Sequence, residues 1–493
     1  MKNLSRLDIP LVLQRFALLI FIFFPVSLAL IAQVLSLVRT WDSLKAVQIG
    51  LLVGVFLVPV VAVFASPSFW AAIEKSKYFP VFWVLAIAFG LRVTLIPLIS
   101  TDFISDMEDI HLFAADVYSG NPFANLSNYP NIPHATYLTL TGFVLSFIYK
   151  IFGVSTTVAK FFLVILAVLT TWLVYLTGRE IADRRVGFVA SLLYATLPSL
   201  ICYAGVLTGD HLALPLIVLA ILIYTRLIKS AQSKPYHSLI GYAICGIVIG
   251  FVDWFRPVGM ILLASLLISM LLYQLRKPAF FQIALAVSVL VFSYFTVSKL
   301  AIVITENIFQ TKMVSSSEKI GGYLFAGLNP ESHGGVTLDD ARIVGETYQR
   351  FGSDYAAANR YLVESAFDRL EEGELAKLLI EKYELMWSSH IALFDYALVG
   401  SNDQEIVYLM ADIESLLYFA ITLFILIGAV LYLFRQSHPA ILTMQLFMLG
   451  FGVLMLFLEA QNRYVIIVLP YLILLGALGM KEAITSGFFQ FTE

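Results

Sequence analysis

Long apolar runs separated by short polar segments set the pattern of this chain from Phe16 to Met480. Each run is about 20 residues long, which lets a helix cross roughly 30 Å of hydrocarbon, and the alternating pattern of a membrane barrel is absent from the sequence. The pattern therefore predicts an all-α polytopic membrane protein with about twelve transmembrane helices. The predicted spans are 16–38, 46–66, 80–100, 156–177, 186–206, 212–228, 238–253, 258–275, 280–304, 416–434, 440–458 and 464–480.

The composition agrees with a chain whose solvent is lipid. Hydrophobic residues make up 60% of the sequence and charged residues 13%, whereas ordinary soluble domains have about 25% charged residues. Both cysteines, Cys202 and Cys245, lie inside apolar runs and are interpreted as packing residues, not as a disulfide. The net charge of -3 argues against a polyanionic partner, and the sequence carries no nucleic-acid-binding signature.

Lysine and arginine residues orient the predicted spans, because short cytoplasmic loops are enriched in both. With these charges inside, both termini are cytoplasmic. The N-terminal run is predicted to be a retained anchor, since no small-residue cleavage site follows it. The charges that mark cytoplasmic ends are Lys2, Arg6, Lys75, Lys77, Arg179, Arg184, Arg185, Arg226, Lys229, Lys234, Arg276, Lys277, Arg435 and Lys481.

The apolar stretch 134–152 is predicted to lie on the outer membrane surface instead of crossing it. If it crossed, the segment 178–185, with its three arginines, would fall outside. Tyr137, Tyr149 and Lys150 suit the lipid boundary, as in an interfacial helix.

Two substantial segments are then outside the membrane: the loop 101–133, with five acidic residues and no lysine or arginine, and the mixed-charge region 305–413. In the second segment, the stretch 355–379 has helical periodicity, whereas Gly321-Gly322 and the run 329–335 indicate turns. The predicted regions are N-terminal extra helices at 1–79, a membrane core at 80–304, a small outer-face domain at 305–413 and C-terminal helices at 414–493.

Charged residues in or beside the spans are the candidates for chemistry, since charge is costly in a membrane helix. In the predicted topology nearly all of the unusual ones collect at the outer face, where we therefore expect a functional site. These residues are Asp106, Lys160, Asp210, His211, Asp253, Arg256, Glu459 and Arg463.

The first outer loop crowds four carboxylates, Asp102, Asp106, Glu108 and Asp109, into eight residues. Their mutual repulsion needs a compensating cation or ligand, which favours a functional site. The alternative is structural, because Ser105 and Glu108 have the spacing of a capping box at the start of a helix.

Arg256-Pro257 stands between two short apolar stretches, where proline turns or breaks the chain. The guanidinium of Arg256 could bind a phosphate through two parallel hydrogen bonds. Alternatively, it could simply pair with Asp253 at the loop.

The other charged candidates have structural alternatives as well. Glu459 and Arg463 are four residues apart and could pair on one helical face. Lys160 could extend to the lipid headgroups. Asp210 and His211 could cap a helix.

The sequence does not require a metal or a cofactor. Its seven histidines are scattered, and no cluster of His, Cys and Asp has strong metal-ligand spacing. A divalent cation held by the outer-loop carboxylates is an alternative that stays open. No phosphate-cradling glycine loop and no nucleophile elbow occur in the sequence.

Several short motifs follow one another across roughly residues 80 to 480. They are Ser105-Asp106, Ala114-Ala115, Gly120-Asn121-Pro122, Tyr129-Pro130, Phe152-Gly153, Gly178-Arg179, Arg184-Arg185, Leu197-Pro198, Arg256-Pro257, Gly327-Leu328-Asn329 and the run 459–470. Their order and spacing resemble the GT-C glycosyltransferases. The resemblance is greatest to the family-39 branch, which includes relatives of the protein O-mannosyltransferases and of the aminoarabinose transferase of lipid A.

The resemblance implies an enzyme that takes its sugar from a polyprenyl-phosphate donor. Asp106 would be the active-site acid, with Asp102 as its rival. Lys160, Arg256 and Arg463 would receive the donor phosphate.

We expect the substrates to contact Glu108, Asp109, Asp210, His211 and Glu459. The predicted reaction is a single displacement that inverts the anomeric centre. It would take place on the extracytoplasmic face of a bacterial cell membrane.

A cell-envelope glycan or glycolipid is the expected acceptor, because the chain departs from the protein-transferring relatives. Two extra spans precede the first outer loop, the Asp-Glu pair of those relatives is not present as such, and their His-Pro-Pro element is here His134-Ala135-Thr136. A protein acceptor is therefore disfavoured.

Two other function classes are weighed against this one. A polysaccharide polymerase or ligase would also be polytopic, and it would use a lipid-linked oligosaccharide as donor. A transporter or flippase would show an internal repeat and charges near the midplane, and the sequence shows neither.

Overall fold

A computed structural model describes residues 9–40, 66–75, 79–121, 129, 132, 135–230, 235–274, 280–309, 320–352, 354–371, 373–400, 404–435 and 438–485 of the protein. These residues form helices, and no strand occurs among them, which confirms the predicted all-α class. The α-helices are α1 (Ile9–Phe21), α2 (Leu28–Thr40), α3 (Pro67–Lys75), α4 (Phe79–Ile99), α5 (Asp106–Ser119), α6 (Thr136–Phe152), α7 (Thr156–Ile181), α8 (Arg184–Thr196), α9 (Pro198–Cys202), α10 (Asp210–Ser230), α11 (Pro235–Phe255), α12 (Gly259–Gln274), α13 (Phe280–Phe309), α14 (Ile320–Gly327), α15 (Leu338–Phe351), α16 (Tyr355–Asp368), α17 (Glu374–Trp387), α18 (Ile391–Ala397), α19 (Gln404–Leu433), α20 (Pro439–Phe457) and α21 (Leu469–Thr485). A π-helical segment, Ile22–Ser27, joins α1 to α2, and 3-10 helices occur at Tyr203–Gly205 and Asn462–Ile467.

Among the described residues, seven helices are long and apolar enough to cross a membrane, and an eighth span exists if the bent pair α8–α9 counts as one. The chain is thus a multi-pass membrane protein. The seven helices cover Pro10–Ser36, Pro80–Ile99, Thr156–Ile181, Asp210–Lys229, Phe281–Phe309, Val407–Leu433 and Pro439–Phe457.

The predicted count of about twelve spans is not confirmed. The span 46–66 lies outside the described residues. Two others, 238–253 and 258–275, form the shorter apolar helices Leu239–Phe255 and Gly259–Tyr273. The last, 464–480, begins as a 3-10 turn and continues as α21, which has 17 residues.

Charged residues mark one end of the helical bundle. There Glu180 lies 3.4 Å from Arg179, 3.6 Å from Arg226 and 3.3 Å from Lys229. Helix α10 begins at Asp210 and contains Lys229 in its last turn, so these two residues stand about 30 Å apart along its axis. These charges, which were predicted to be cytoplasmic, therefore lie at the end opposite Asp210.

Helix α6 has 17 residues, which is short for a span, and it packs beside α5, α7 and α11. Its Phe147 and Ile151 side chains are exposed, as expected for a helix that lies along the lipid. Tyr149, however, is fully buried, and its hydroxyl lies 2.6 Å from Nδ1 of His111. The prediction that Tyr149 faces the lipid boundary is therefore wrong, because this residue binds the first outer loop instead.

Helices α14 to α18 lie in the segment 305–413, for which the sequence predicts an outer-face region, and part of this segment has a hydrophobic core of its own. Buried Asp340 connects segments around this core: it accepts a hydrogen bond from Asn329 Nδ2 at 2.8 Å, and it lies 3.0 Å from Arg369. The buried core residues are Phe325, Leu328, Leu362, Ala366 and Leu378.

Two local predictions in this region change. Gly321 and Gly322 lie inside α14, so the predicted turn there is wrong; a Cβ on Gly321 would meet Asn359 Oδ1 at 2.7 Å, which accounts for glycine in a helix. The predicted helix over 355–379 is divided into α16 and α17 before Gly373, whose φ is +86°. The turn predicted over 329–335 is confirmed.

Lys382 joins the outer-face region to the end of α20. The side chain is fully buried, and its ammonium donates to the Gly327 carbonyl at 2.7 Å and to the Leu458 carbonyl at 2.6 Å. Burial lowers the pKa of Lys382 to about 7, although nearby Glu459 acts in the opposite direction. The folded protein therefore holds this amine with a much weaker proton affinity than the unfolded chain does.

The thermal stability of the protein is expected to rise from pH 7 to pH 9 because of Lys382. In that window the unfolded lysine is protonated and the folded one is largely not, so each added pH unit favours the folded state by at most about 1.4 kcal/mol. Melting curves at the two pH values check this. Lys382→Met should flatten the rise, while Lys377→Met, an exposed position on the same helix, should keep it. Equal slopes in all three proteins would contradict the assignment.

Candidate active site

The first outer loop leads into α5 through a constrained link. Ser105 has φ +50° and ψ -128°, a conformation that residues other than glycine rarely adopt, and Asp106 follows it as the first residue of α5. The Ser105 side chain makes no capping hydrogen bond, so the capping-box alternative for Ser105 and Glu108 is wrong. Carboxylates in this first turn are still favoured by the positive end of the helix dipole.

Asp106 is half-buried and lies within electrostatic reach of two cations. Burial raises the pKa of its carboxyl group above the usual range, and the positive charges of Arg463 and Arg256 lower it in part. Two arginines from distant parts of the sequence therefore act electrostatically on one carboxylate.

Arg256 follows the last residue of α11 and is held by groups from two other segments. Its Nε lies 3.1 Å from Asp210 Oδ1, and its guanidinium lies over the Tyr464 ring at 4.5 Å from the centroid. A Cβ on Gly209 would lie 2.5 Å from the Phe255 carbonyl oxygen, so only glycine allows the start of α10 to approach Arg256 this closely.

The predicted alternative, in which Arg256 pairs with Asp253, does not occur. Asp253 accepts instead from the Gly259 amide at 2.7 Å, from the Tyr294 hydroxyl at 2.5 Å and from the Ser298 hydroxyl at 3.1 Å. Asp253 thus stabilises the start of α12 and the packing of its own helix, α11, against α13. The charged partner of Arg256 is Asp210 instead.

Arg463 belongs to the 3-10 segment after α20, so the predicted pairing with Glu459 on one helical face is wrong. Gln461 connects the two residues: its Nε2 donates to Glu459 Oε1 at 2.5 Å, and its Oε1 accepts from Arg463 Nε at 2.7 Å. The Arg463 guanidinium also lies over the Tyr396 ring, 4.2 Å from the centroid. We call Arg256, Arg463 and the residues that contact them or lie within electrostatic reach of them the arginine cluster. Through Tyr396, helix α18 contributes a residue of the outer-face region to this cluster.

Asp210 and His211 are both buried at the start of α10. Tyr203 donates its hydroxyl to Asp210 Oδ2 at 3.3 Å, and its carbonyl oxygen lies 3.1 Å from His211 Nε2. Asp210 thus orients Arg256, whereas His211 packs against the turn that precedes it.

Three tyrosines complete the cluster. The sequence pattern does not single out Tyr323 or Tyr464, and it predicts Tyr137 only as a residue of the lipid boundary. Burial raises the pKa of Tyr137, Tyr323 and Tyr464 further above neutrality, so each stays a neutral hydroxyl group. All three lie within electrostatic reach of Arg256. Tyr464 had a local signal, since it directly follows Arg463; the other two come close only through the fold.

Other predicted residues lie to one side of this cluster. Lys160 is half-buried, donates to the Thr101 carbonyl and lies over the Phe103 ring, and its electrostatic partner is Asp102. Asp102 is exposed, and its amide donates to the Val399 carbonyl at 2.7 Å. Asp102 therefore lies within electrostatic reach of Lys160 beside the first loop.

Glu108 and Asp109 divide between the surface and the interior of α5. Glu108 is exposed and acts electrostatically on His111, whereas Asp109 is buried. Within the described part of the chain, no three His, Cys, Asp or Glu side chains come together as metal ligands would.

The sequence match bears on the class of protein. Residues 139–298, less than half of the chain, match the model of a family described as dolichyl-phosphate-mannose-protein mannosyltransferase. The match agrees with the resemblance to the GT-C glycosyltransferases, and so with a glycosyltransferase as the class of enzyme that the sequence predicts. No curated protein matches this sequence.

Several solved structures match this chain at low sequence identity. The oligosaccharyltransferase from Archaeoglobus fulgidus in the apo form is 16% identical, with a TM-score of 0.47 over 84% of this chain and 51% of that one. The oligosaccharyltransferase AglB from Archaeoglobus fulgidus, in complex with an inhibitory peptide and a dolichol-phosphate, is 16% identical, with a TM-score of 0.47 over 84% of this chain and 52% of that one. ArnT from Cupriavidus metallidurans bound to undecaprenyl phosphate is 13% identical, with a TM-score of 0.37 over 84% of this chain and 79% of that one. The chain thus spans about half the length of the archaeal enzyme.

Proposed function

We propose that the protein transfers a sugar from a polyprenyl-phosphate donor to a hydroxyl group of a cell-envelope glycan or glycolipid. The observation that carries this proposal is one half-buried carboxylate, Asp106, within electrostatic reach of Arg256 and Arg463. The carboxylate supplies a base, and the guanidiniums supply positive charge for a phosphate. The family match over residues 139–298 supports the same class of reaction.

In the proposed step the acceptor oxygen attacks the anomeric carbon while the bond from that carbon to the phosphate oxygen breaks. Asp106 takes the proton of the acceptor hydroxyl, and the polyprenyl phosphate leaves with the bonding electrons. Arg256 and Arg463 stabilise the negative charge that develops on it. Phosphate leaves readily, so no second carboxylic acid has to protonate it, and the single displacement inverts the anomeric centre.

We choose Asp106 over Asp102 as the base because of their surroundings. Asp102 is exposed and lies within electrostatic reach of Lys160, whereas Asp106 is half-buried and lies within electrostatic reach of both arginines. A raised pKa also strengthens Asp106 as a base near neutral pH. Lys160 is accordingly a secondary candidate for the donor phosphate.

The remaining charged residues receive supporting roles in this proposal. Asp210 fixes the orientation of Arg256, and Glu459 fixes that of Arg463 through Gln461. We assign exposed Glu108 to contact with the acceptor. Buried Asp109 and His211 position the segments around the cluster.

We place the site on the extracytoplasmic face of a bacterial cell membrane, with both termini in the cytoplasm. The support is the distribution of charge: Arg179, Arg226 and Lys229 gather at the end of the bundle opposite Asp210. Positive residues concentrate on the cytoplasmic side of membrane proteins.

The test is sugar transfer by purified protein reconstituted in lipid. Donors are a panel of polyprenyl monophosphate sugars and, separately, diphosphate-linked oligosaccharides, and the product is analysed for anomeric configuration. We expect turnover with a monophosphate donor and an inverted product. Turnover only with the oligosaccharides would establish the polymerase or ligase class instead. No turnover with either set would refute the proposed reaction.

A further inference from the structure

Helices α8 and α9 bend by 61° at Leu197 and Pro198, inside the apolar part of the chain. Proline has no N–H group, so the Tyr194 carbonyl loses its usual partner four residues further on. The next amide, that of Ser199, donates to a side chain of another helix, so the Ala195 carbonyl loses its partner as well. Unpaired backbone groups are costly in hydrocarbon, so this break needs partners from elsewhere.

Arg92, a fully buried residue of α4, supplies partners on the carbonyl side of the break. Its Nη1 donates to the Ala195 carbonyl at 3.0 Å, and its Nη2 donates to the Tyr194 carbonyl at 3.3 Å. A cation thus stands at the C-terminal, negative end of α8.

Glu414, a buried residue of α19, serves the other side of the break. One of its carboxylate oxygens accepts from the Ser199 amide, and the other binds Nδ1 of His390, which directly precedes α18. An anion thus faces the amide side of the break, and it also holds the residue from which α18 begins.

Glu414 contacts two segments, and each of them contains a residue that belongs to the arginine cluster. The segment after the break contains Tyr203, which donates to Asp210, the partner of Arg256. Helix α18 contains Tyr396, whose ring lies under the Arg463 guanidinium. One buried carboxylate therefore connects the surroundings of both guanidiniums.

We propose that Glu414 and Arg92 are positioning residues: they hold the break at Leu197-Pro198 and so fix the turn that carries Tyr203 to Asp210. The inference rests on the proposed function only for its link to sugar transfer. Charge inside membrane helices is costly, and here each charge is matched to one unpaired side of a broken helix.

The two cysteines of the chain provide an internal test. Cys202 lies at the end of α9, directly after the break, while Cys245 lies on α11; both are buried and free. Reconstituted protein is treated with membrane-permeant N-ethylmaleimide, and labelling of each thiol is followed by mass spectrometry. The variants are Glu414→Ala, Glu414→Gln and Arg92→Met. Ser269→Ala serves as a matched control because it removes a buried hydrogen bond, to the Pro439 carbonyl at 2.7 Å, away from the break.

We expect Glu414→Ala and Arg92→Met to label Cys202 at least about tenfold faster, a population shift of the kind that follows loss of a buried partner, with Cys245 unchanged. Glu414→Gln keeps an oxygen acceptor for the Ser199 amide and should stay within about threefold of wild type. Unchanged labelling of Cys202 would overturn the proposal, as would equal acceleration of both thiols, because that pattern reports general loosening.

Sugar transfer is measured on the same samples. We expect kcat to fall about tenfold in Glu414→Ala and to be restored in Glu414→Gln, the pattern of a lost orientation and not of a lost reacting group. Faster Cys202 labelling with unchanged transfer would contradict the claim that Glu414 acts on Arg256 through Tyr203 and Asp210. A wild type that does not transfer sugar would refute the proposed function, and the labelling alone then decides the role of Glu414 and Arg92.

Discussion

Replacing Asp106 with asparagine is expected to lower kcat for sugar transfer by about 10²- to 10⁴-fold, the contribution of a positioned general base. The amide keeps the size of the side chain and its hydrogen-bonding capacity, but it cannot take the proton of the acceptor hydroxyl. Arg256 and Arg463 keep their other partners, so folding and donor binding should be preserved. Transfer assays on reconstituted protein, together with a melting curve, check both expectations.

Asp102→Asn is the matched control, because it makes the same change four residues earlier in the same loop. We expect transfer within about threefold of wild type, as for a surface change away from the reacting atoms. If Asp102→Asn loses transfer and Asp106→Asn keeps it, the base is Asp102 and the role assigned to Asp106 is wrong.

The pH profile gives the same assignment a second readout. Burial raises the pKa of Asp106 above its usual value of 3.8. The base must be ionised to act. The rate of transfer should therefore fall as the pH drops through that raised pKa, and it should reach its full value above it. The acid limb is expected to disappear from the residual activity of Asp106→Asn.

Replacing Arg256 with alanine is expected to lower kcat by about 10²- to 10³-fold, as when a preorganised donor to a developing anion is removed. The substitution also leaves Asp210 buried without its cation. Arg256→Lys separates the two effects, since it keeps a charge near Asp210 but loses the planar group that lies over Tyr464. We expect Arg256→Lys to recover stability and to recover only part of the transfer rate.

Arg369→Lys is the control for these variants, because Arg369 has similar surroundings outside the cluster. It lies 3.0 Å from Asp340 and over the Phe325 ring at 4.3 Å from the centroid. Its substitution should lower stability while transfer stays within about threefold of wild type. If Arg256→Ala and Arg369→Lys reduce transfer equally, Arg256 has no special relation to the leaving phosphate.

Hydropathy predicted the membrane class and most of the spans, because burial in lipid demands long apolar helices. The sequence also predicts the break at Arg256-Pro257 between two apolar helices. It could not predict the bend at Pro198, because that bend depends on which polar side chains from other helices satisfy the backbone. The helical conformation at Gly321 likewise depends on a close contact with Asn359, and no local sequence pattern encodes that contact.

The candidate site was predicted in its residue types but not in its pairings. The sequence offered Asp253 to Arg256 because the two are near in the chain, whereas the fold brings Asp210 to it through the close approach at Gly209. Glu459 and Arg463 meet through Gln461 because the chain there is not an α-helix. Long-range packing decides such contacts, and residue spacing does not record it.

Ser105, directly before Asp106, has a further consequence. Its φ of +50° is a conformation that a residue with a side chain holds at a cost of about 1–3 kcal/mol, whereas glycine adopts it freely. A glycine at this position would make the fold harder to unfold and would loosen the carboxylate that follows. Stability and turnover thus pull against each other at this residue, and directed evolution for heat resistance would be expected to select changes here that make the enzyme slower.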